Sequence, residues 1–300
     1  MKYKILVTGA DGLVGSRFCE LYKDSHTILE PTLVEFDLFK PETIQEYISK
    51  SQPDVIVHCA AFTDVSVAEK QRGDQKGSCW QVNVEGTAHV VDLCQRQKIA
   101  LIAISTDVVF SATAGYPGPY IENAELAESS DQISWYGWTK AEAERRLANL
   151  NDVAIVRISN PVRREYGLKR DYVHKILDLY DQAKLYPMFN DQYLTLTYID
   201  EVAKALDAIL QKKLTGIFHV SSNDRFTPFE LASYLLERAR GASNVVQPIS
   251  LAEFIKKTGN PARYPQYGGL DVKLSQARLG LQFLSWRQII DQIVNFVNAS

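Results

Sequence analysis

The sequence predicts an α/β protein, a doubly wound parallel sheet with helices on both faces. A β-branched run at residues 4–8 (KILVT) is followed directly by a glycine-rich turn and then by a helical pattern at residues 16–23. Further buried strands and amphipathic helices alternate along the first half of the chain. This alternation is typical of parallel sheets, because a crossover helix is needed before the next parallel strand.

Composition indicates the class of protein and excludes several partners. A chain of 300 residues with 46% hydrophobic and 23% charged residues can bury a sizeable core and is ordinary for a globular protein. The net charge is −3 and the basic residues form no block, so no nucleic-acid partner is expected. No apolar run approaches roughly 18 residues, and the first residues lead straight into a strand, so we expect neither a membrane span nor a signal peptide.

The cysteines indicate a reducing compartment. They are scattered, with no Cys-x-x-Cys pair and no histidine or cysteine at ligand spacing. We therefore expect reduced, mostly packed thiols in a cytoplasmic protein, and no metal site. The cysteines are Cys19, Cys59, Cys79 and Cys94.

The glycine-rich turn predicts a dinucleotide site. Gly9, Gly12 and Gly15 are spaced three apart between the first strand and the first helix. Glycines at these places allow a tight turn, close approach of the backbone to a pyrophosphate, and close packing of the helix on the strand. The helix N-terminus then faces the anion. Such a spacing is weak evidence by itself, and its place directly after the first strand strengthens it.

The second strand, predicted at residues 26–30, bears on which dinucleotide binds. Glu30 lies near its end, about 20 residues past the glycines, where an acceptor for a ribose 2′-hydroxyl is expected. A carboxylate at this place favours NAD over NADP. The sequence leaves NADP open as well, because Arg17 is a candidate for contact with a 2′-phosphate.

The following elements bring hydroxyl groups to the ligand-binding edge of the sheet. Helices and strands are predicted in turn at residues 40–50, 54–61, 79–96 and 99–106. The last of these strands ends on Ser105, Thr106 and Asp107. Open α/β sheets bind ligands at the carboxyl ends of their strands, although Ser-Thr-Asp at a strand end is also typical of a turn or a cap.

Tyr136 and Lys140 form the most informative pair of residues. They lie four apart at the start of a strongly helical run, so both side chains lie on one face of the helix. The Lys140 ammonium is then expected near the phenol and near the ribose of a bound dinucleotide. A free tyrosine has a pKa of about 10, which a nearby positive charge lowers. In isolation, the same spacing is also that of an ordinary solvated pair.

Short motifs in a fixed order extend these observations over nearly the whole chain. They are TGADGLVG (8–15), HCAAFTDVSVAEK (58–70), VNVEGT (82–87), STDVVF (105–110), PYIEN (119–123), YGWTKAEAE (136–144), NDQYLTLTYIDEVAKAL (190–206), GIFHVSS (216–222), FTPFELA (226–232) and LDVKLSQARLGLQFLSWRQII (270–290). Together they resemble the extended short-chain dehydrogenase/reductases, and within them the dTDP-4-dehydrorhamnose reductase group. Each motif is weak alone, but their number, order and spacing make chance agreement implausible.

The resemblance implies a fold and a division into domains. It implies an NAD(P)-binding Rossmann fold with a smaller C-terminal α+β substrate-binding lobe. Residues 1–158, completed by roughly 188–220, would form the cofactor domain, and residues 159–187 and 221–300 would form the interleaved lobe. Later elements are expected as strands at 153–158 and 216–220 and helices at 171–184, 202–211, 228–240 and 286–298.

The resemblance also implies roles for single residues, with NAD or NADP as the cofactor. Tyr136 would protonate the carbonyl oxygen of a nucleotide-linked 4-keto-6-deoxysugar as hydride reaches its carbon, while Thr106 hydrogen-bonds that oxygen and Lys140 tunes the tyrosine and holds the ribose. Besides Tyr136 and Lys140, the expected cofactor contacts are Gly9, Asp11, Gly12, Leu13, Val14, Gly15, Glu30, Asp37, Leu38, Cys59, Ala60, Ala61, Phe62 and Asn83. The expected substrate contacts are Thr63, Asp107, Val108, Asn160 and Arg263.

Departures from the family pattern lie mostly on the sugar-facing side. Val108 stands where a tyrosine is usual, and Asn160 stands where a tryptophan usually stacks on the sugar. Residues 194–197 (LTLT) replace the usual Gly-x-Pro-Thr run. Trp138 lies inside the Tyr-to-Lys spacer, where a smaller residue is usual, and is expected to pack on a neighbouring helix. These changes bear on the substrate more than on the cofactor.

Three functions are compatible with these residues. A nucleotide-sugar reductase is favoured, because the trio and the glycine turn are intact. A nucleotide-sugar epimerase or dehydratase of the same family is second, although a dehydratase needs a second acid beside the threonine and Val108 follows Asp107. The third is a non-catalytic cofactor-binding regulatory subunit, because the chain also resembles the methionine adenosyltransferase β-subunit. Helices 79–96 and 136–150 pair subunits in many members of the family that the chain resembles, which implies a possible homodimer, while monomers also occur.

Overall fold

A parallel sheet forms the centre of the computed structural model, which describes residues 1–165, 167, 170–258 and 264–297. Arg263, an expected substrate contact, lies outside the described residues. The strands are β1 (Lys4–Thr8), β2 (Thr27–Leu29), β3 (Val55–His58), β4 (Ala100–Thr106), β5 (Val153–Ile158), β6 (Pro161–Val162), β7 (Met188–Phe189), β8 (Thr197–Tyr198), β9 (Gly216–Val220) and β10 (Pro248–Ile249). Six of them form one sheet in the order β2-β1-β3-β4-β5-β9, with every neighbouring pair parallel.

Helices connect these strands, as the alternating pattern predicts. They are α1 (Leu13–Tyr22), α2 (Pro41–Ser51), α3 (Val65–Lys70), α4 (Ser78–Trp80), α5 (Gly86–Gln97), α6 (Trp135–Leu147), α7 (Tyr172–Asp181), α8 (Ile199–Lys212), α9 (Pro228–Arg240), α10 (Leu251–Thr258), α11 (Lys273–Leu279) and α12 (Trp286–Val297). A π-helical segment, Gln81–Glu85, joins α4 to α5.

The sheet is wound on both faces, which confirms the predicted fold class. Alternate residues of β1 point to opposite sides, so Ile5 and Leu6 belong to different hydrophobic clusters. Ile5 packs with residues of α1 and α8, and Leu6 packs with residues of α2 and α5. The chain changes direction between β1 and β3, and in doubly wound sheets the crevice at such a switch point is where ligands bind.

A separate hydrophobic cluster lies in the later part of the chain. It joins α7, α9 and α12 around the fully buried indole of Trp286. Two short parallel pairs, β7 with β10 and β6 with β8, accompany these helices. The domain boundaries proposed from the sequence remain a prediction.

Several element boundaries differ from the predicted ones for local reasons. α1 begins at Leu13, three residues earlier than predicted, because Gly12 is already its N-cap. The predicted strand 54–61 ends at His58, and the predicted helix 79–96 contains the π-helical segment. α9 begins as predicted, because Thr227 and Glu230 form a capping box. The short helices α3, α10 and α11 are missing from the prediction, since six to eight residues carry little periodicity.

None of the helices in the described ranges is long and apolar enough to cross a membrane.

Candidate active site

The glycine turn between β1 and α1 has the geometry of an anion cradle. Gly9 has φ +63°, and a Cβ added there would lie 2.8 Å from the backbone N and Cα of Ala60. The Gly12 N–H donates to the Gly9 carbonyl at 3.0 Å, which closes the turn. α1 begins without an N-cap side-chain hydrogen bond and without an acidic residue in its first turn, and the positive end of a helix favours a bound anion. These features fit a dinucleotide pyrophosphate.

A cavity of about 510 Å³ lies beside this turn and includes Asp11 in its lining. Arg163 forms part of its wall and is 6% exposed. Its guanidinium donates to the Ser16 hydroxyl at 2.9 Å and to the Glu20 carboxylate at 3.0 Å. This arginine, which sequence reasoning missed, therefore ties the segment after β6 to α1.

The expected adenosine end lies at the carboxyl end of β2. Glu30 is exposed there, and its carboxylate neighbours the Cys19 thiol, whose pKa is raised to about 12 by burial and then by Glu30. Arg17 does not fit the role of a 2′-phosphate ligand. It donates two hydrogen bonds to Asp200, at 2.7 and 2.8 Å, and one to Glu20 at 3.0 Å, so its charge is already matched.

Asp37 and Leu38 are fixed in the segment before α2. Asp37 accepts the Phe39 N–H at 2.9 Å, and the Asp37 N–H donates to the Thr43 hydroxyl at 3.0 Å. The Leu38 carbonyl lies 2.9 Å from Nδ1 of His89 on α5. The contacts place both residues against α2 and α5 at one border of the crevice.

The segment after β3 is held by Asn83 of the π-helical segment. The Asn83 side chain accepts the Phe62 N–H at 2.8 Å and donates to the Phe62 carbonyl at 3.1 Å. It also donates to the Thr139 hydroxyl on α6 at 3.0 Å and is 1% exposed. Asn83 thus positions Phe62 and α6. The Ala60 N–H donates to the Thr8 hydroxyl at 3.2 Å, while Thr63 is exposed.

Thr106, Tyr136 and Lys140 gather at the carboxyl edge of the sheet. Thr106 ends β4, Tyr136 is the second residue of α6, and Lys140 lies one turn later. The Ser134 side chain caps α6, accepting the Gly137 N–H at 3.1 Å. A Cβ at Gly137 would collide with the Val108 carbonyl, so this glycine lets α6 approach the segment that follows Thr106.

The electrostatics of Tyr136 differ from the sequence-based expectation. Burial raises the pKa of its phenol above the ordinary value, and the Asp107 carboxylate raises it further, while a hydrogen bond with Thr106 opposes both. The expectation that the Tyr136 pKa lies below the ordinary value is therefore wrong for this structure. The Lys140 ammonium donates to the Ile104 carbonyl at 2.9 Å, and burial lowers its pKa to about 8.

The side that is expected to face the sugar carries a chain of polar contacts. Asp107 is 8% exposed and accepts the Thr106 hydroxyl at 3.3 Å on Oδ1 and the Ser159 hydroxyl at 2.6 Å on Oδ2. Burial raises the pKa of Asp107 to about 6. Asn160, with φ +43°, donates to the Ser159 hydroxyl at 3.1 Å and to the Thr195 carbonyl at 3.2 Å. Ser159 was not singled out in the sequence, although it directly precedes Asn160.

A buried ion pair beneath α6 was also missed. Glu144 and Arg157 are joined at 2.7 Å between Oε2 and Nη2, with both side chains almost fully buried. Glu144 also accepts the Ser105 hydroxyl. A signal was present, because Arg157 is the one charged residue in the apolar strand VAIVRI, and a charge there needs a buried partner.

Trp138 packs as the sequence predicts. Its indole joins Phe62, Trp80 and Trp135 in one cluster, and the Arg145 guanidinium lies 4.9 Å from the ring centroid. It therefore supports α6 from the side.

Several known proteins are similar to this chain over most of its length. The chain is 26% identical to dTDP-4-dehydrorhamnose reductase of Aggregatibacter actinomycetemcomitans, across 97% of this chain and 98% of the relative. It is 26% identical to dTDP-4-keto-6-deoxy-D-glucose reductase of Streptomyces niveus, across 81% of each. The crystal structure of dTDP-4-dehydrorhamnose reductase from Bacillus anthracis in complex with NADP is 27% identical, with a TM-score of 0.85 and complete coverage of both chains.

A protein-family match spans almost the entire chain. The family described as the RmlD substrate binding domain matches residues 3–298. The chain therefore belongs to the RmlD substrate binding domain family.

Proposed function

We propose that this protein is an NAD(P)H-dependent reductase of a nucleotide-linked 4-keto-6-deoxysugar. The proposal rests on the positions of the predicted cofactor-binding turn and of the predicted catalytic residues. The start of α1 after the Gly9 turn and the Thr106–Tyr136–Lys140 trio lie at the same carboxyl edge of the parallel sheet. A dinucleotide anchored at the first reaches across the switch point toward the second.

The cofactor would be held along this edge by residues from four segments. The backbone from Gly9 to Gly15 would bind the pyrophosphate, Glu30 would accept from the adenosine ribose, and the segment at Ala60 and Phe62 would line the path to the nicotinamide. A bound nicotinamide supplies the hydride that reduces the sugar ketone.

In this proposal Tyr136 donates the proton that completes the reduction. Because burial and Asp107 raise its pKa, the phenol stays protonated at neutral pH and is ready to donate. The oxygen formed by hydride transfer to a ketone is a stronger base than a phenolate, so the transfer is downhill. Thr106, which hydrogen-bonds the phenol, would also donate to that oxygen. Lys140 would hold the nicotinamide ribose.

The relatives support this class of reaction. Those from A. actinomycetemcomitans and S. niveus are named for the reduction of dTDP-linked 4-ketosugars, and the B. anthracis structure contains NADP. The proposed C-terminal lobe, residues 159–187 and 221–300, would lie over the nucleotide sugar. Asn160 stands where the family usually has a tryptophan that stacks on the sugar. The identity of the sugar is therefore a question for experiment.

Isotope transfer tests the proposal. The protein is incubated with a dTDP-4-keto-6-deoxyhexose and NADH or NADPH that carries deuterium on the transferable face of C4. We expect consumption of the reduced cofactor that depends on the ketosugar, and deuterium at C4 of the product sugar by NMR. Cofactor binding without consumption in the presence of several dTDP- and UDP-linked 4-ketosugars would contradict the proposal and favour the regulatory alternative.

A further inference from the structure

The return of a proton to Tyr136 is a step that the trio alone does not explain. After each turnover the phenolate must be reprotonated, and the hydrogen bond that the Lys140 ammonium donates goes to the Ile104 carbonyl and not to the phenol. The Tyr136 phenol is hydrogen-bonded to the side chain of Thr106. The Thr106 hydroxyl contacts Oδ1 of Asp107 at 3.3 Å. A continuous hydrogen-bonded chain therefore links the phenol to a carboxyl group.

We propose that Asp107 is the proton reservoir of Tyr136 and recharges it through the Thr106 hydroxyl. The inference rests on the proposed function and assigns Asp107 a task beyond contact with the sugar. Asp107 acts through another residue, so its part is to store and deliver a proton rather than to touch the reacting atoms.

The proton and electron balance of the step is simple. Hydride transfer forms a C–H bond at the sugar carbonyl carbon and oxidises the nicotinamide, while the phenol O–H breaks and the sugar O–H forms. The phenolate then takes the Thr106 hydroxyl proton, and Thr106 takes the proton of the Asp107 carboxylic acid. The Asp107 carboxylate then regains a proton from water, which completes the cycle.

The surroundings of Asp107 suit a reservoir. Burial raises its pKa to about 6, against hydrogen bonds from Ser159 and Thr106 that lower it, so a usable fraction is protonated near neutral pH. The phenols of Tyr136 and Tyr120 are the titratable groups that interact with its charge. Donation from a carboxylic acid to a phenolate is downhill, because an ordinary phenol has a pKa of about 10.

Ser159 sets the direction in which the hydrogen-bonded chain from Asp107 to Tyr136 passes a proton. Its hydroxyl donates to Oδ2 at 2.6 Å and itself accepts from Asn160 at 3.1 Å. Oδ2 is thus held by a donor, which leaves Oδ1 as the oxygen that carries the proton toward Thr106.

The first test needs no activity. Asp side-chain carboxyls labelled with ¹³C are followed by NMR from pH 3 to pH 9, and Asp107 is assigned by the signal lost in Asp107→Asn. We expect a midpoint near 6, which rises in Thr106→Val because the hydrogen bond that stabilises the carboxylate is removed. A midpoint at the ordinary aspartate value of about 4, or no response to Thr106→Val, would overturn the proposal.

The second test follows turnover. In Asp107→Ala, kcat should fall roughly tenfold or more, with a burst of one cofactor oxidised per active site, because reprotonation becomes limiting. Formate, a small acid, should restore kcat without changing KM. Thr106→Ser should retain recharging, and Thr106→Val should lose it without rescue. A loss in Asp107→Ala that lies in KM alone, or that formate leaves unchanged, would contradict the reservoir. An inactive wild type would contradict the proposed function instead, and the NMR titration would still decide the role of Asp107.

Discussion

The Glu144 carboxylate and the Arg157 guanidinium form an ion pair, 2.7 Å between Oε2 and Nη2, in the interior between α6 and the sheet. Arg157 also donates to the Glu122 carbonyl at 3.0 Å, and Glu122 accepts the Ser275 N–H at 2.9 Å. The pair thus joins α6, which carries Tyr136 and Lys140, to β5 and to the start of α11.

Breaking this pair should destabilise the fold. Arg157→Met leaves the Glu144 carboxylate buried without its counter-charge, which costs about 3–5 kcal/mol. The free energy of unfolding is measured by urea denaturation. The double variant Glu144→Leu with Arg157→Met should recover part of the loss, since it leaves no unpaired charge. A single variant within about 1 kcal/mol of the wild type, the range of an exposed pair, would contradict this account.

Gly9→Ala should weaken dinucleotide binding by a large factor. The new methyl group would overlap the Ala60 backbone at 2.8 Å and displace the turn that holds the pyrophosphate. Gly241→Ala is the matched control, because Gly241 has φ +64° and open space around it. Both variants place an alanine in the left-handed region of φ, which costs roughly 1–2 kcal/mol. Only Gly9→Ala should also weaken cofactor affinity by a large factor. Equal losses of affinity in fluorescence titrations would show that strain alone is responsible.

Glu30→Ala should shift the coenzyme preference toward NADPH. The exposed carboxylate at the end of β2 is expected to bind the ribose hydroxyls of NADH and to repel a 2′-phosphate. The ratio of kcat/KM for NADH over NADPH should fall about tenfold, which corresponds to about 1.4 kcal/mol. Glu46→Ala removes a surface carboxylate paired with Lys50 and serves as the control. An unchanged ratio in Glu30→Ala would mean that the adenosine lies elsewhere.

Lys140→Met should stabilise the protein at neutral pH. The pKa of Lys140 in the folded protein, about 8, lies below the ordinary lysine value of 10.5, so the folded protein binds fewer protons than the unfolded chain between these values. Because of Lys140, the free energy of unfolding of the wild type therefore increases as pH rises from 8 to 10.5. Below that window the buried charge costs up to about 3 kcal/mol. The advantage of Lys140→Met should shrink across the window, and parallel pH profiles of the two proteins would contradict the account.

Local sequence patterns were sufficient for the sheet and for the glycine turn. The β-branched runs at β1 and β5 predict their strands because each is buried along nearly its whole length. The position of Gly9 directly after β1 predicts the left-handed turn, since other residues rarely adopt that conformation. The Tyr136–Lys140 spacing predicts their shared helix face.

Contacts between distant segments were beyond the reach of these patterns. Asn83 stays a predicted cofactor contact, and its spacing could not show that its amide also bonds the Phe62 backbone and Thr139, the latter more than 50 residues away. Lys140 was expected to tune Tyr136, whereas the packing of α6 against β4 brings its ammonium to the Ile104 carbonyl. Burial, which reverses the expected shift of the Tyr136 pKa, depends on the assembled fold and cannot be read from spacing.

Ketosugar-dependent oxidation of NADH, followed at about 340 nm in the wild type and in Tyr136→Phe, tests the central assignment most directly. Tyr234→Phe is the matched control, because its hydroxyl bonds Asp291 on α12. Loss of the proton donor should lower kcat roughly a hundredfold or more in Tyr136→Phe, with cofactor affinity retained and Tyr234→Phe fully active. A Tyr136→Phe variant that reduces the ketosugar at the wild-type rate would show that the proton comes from another group.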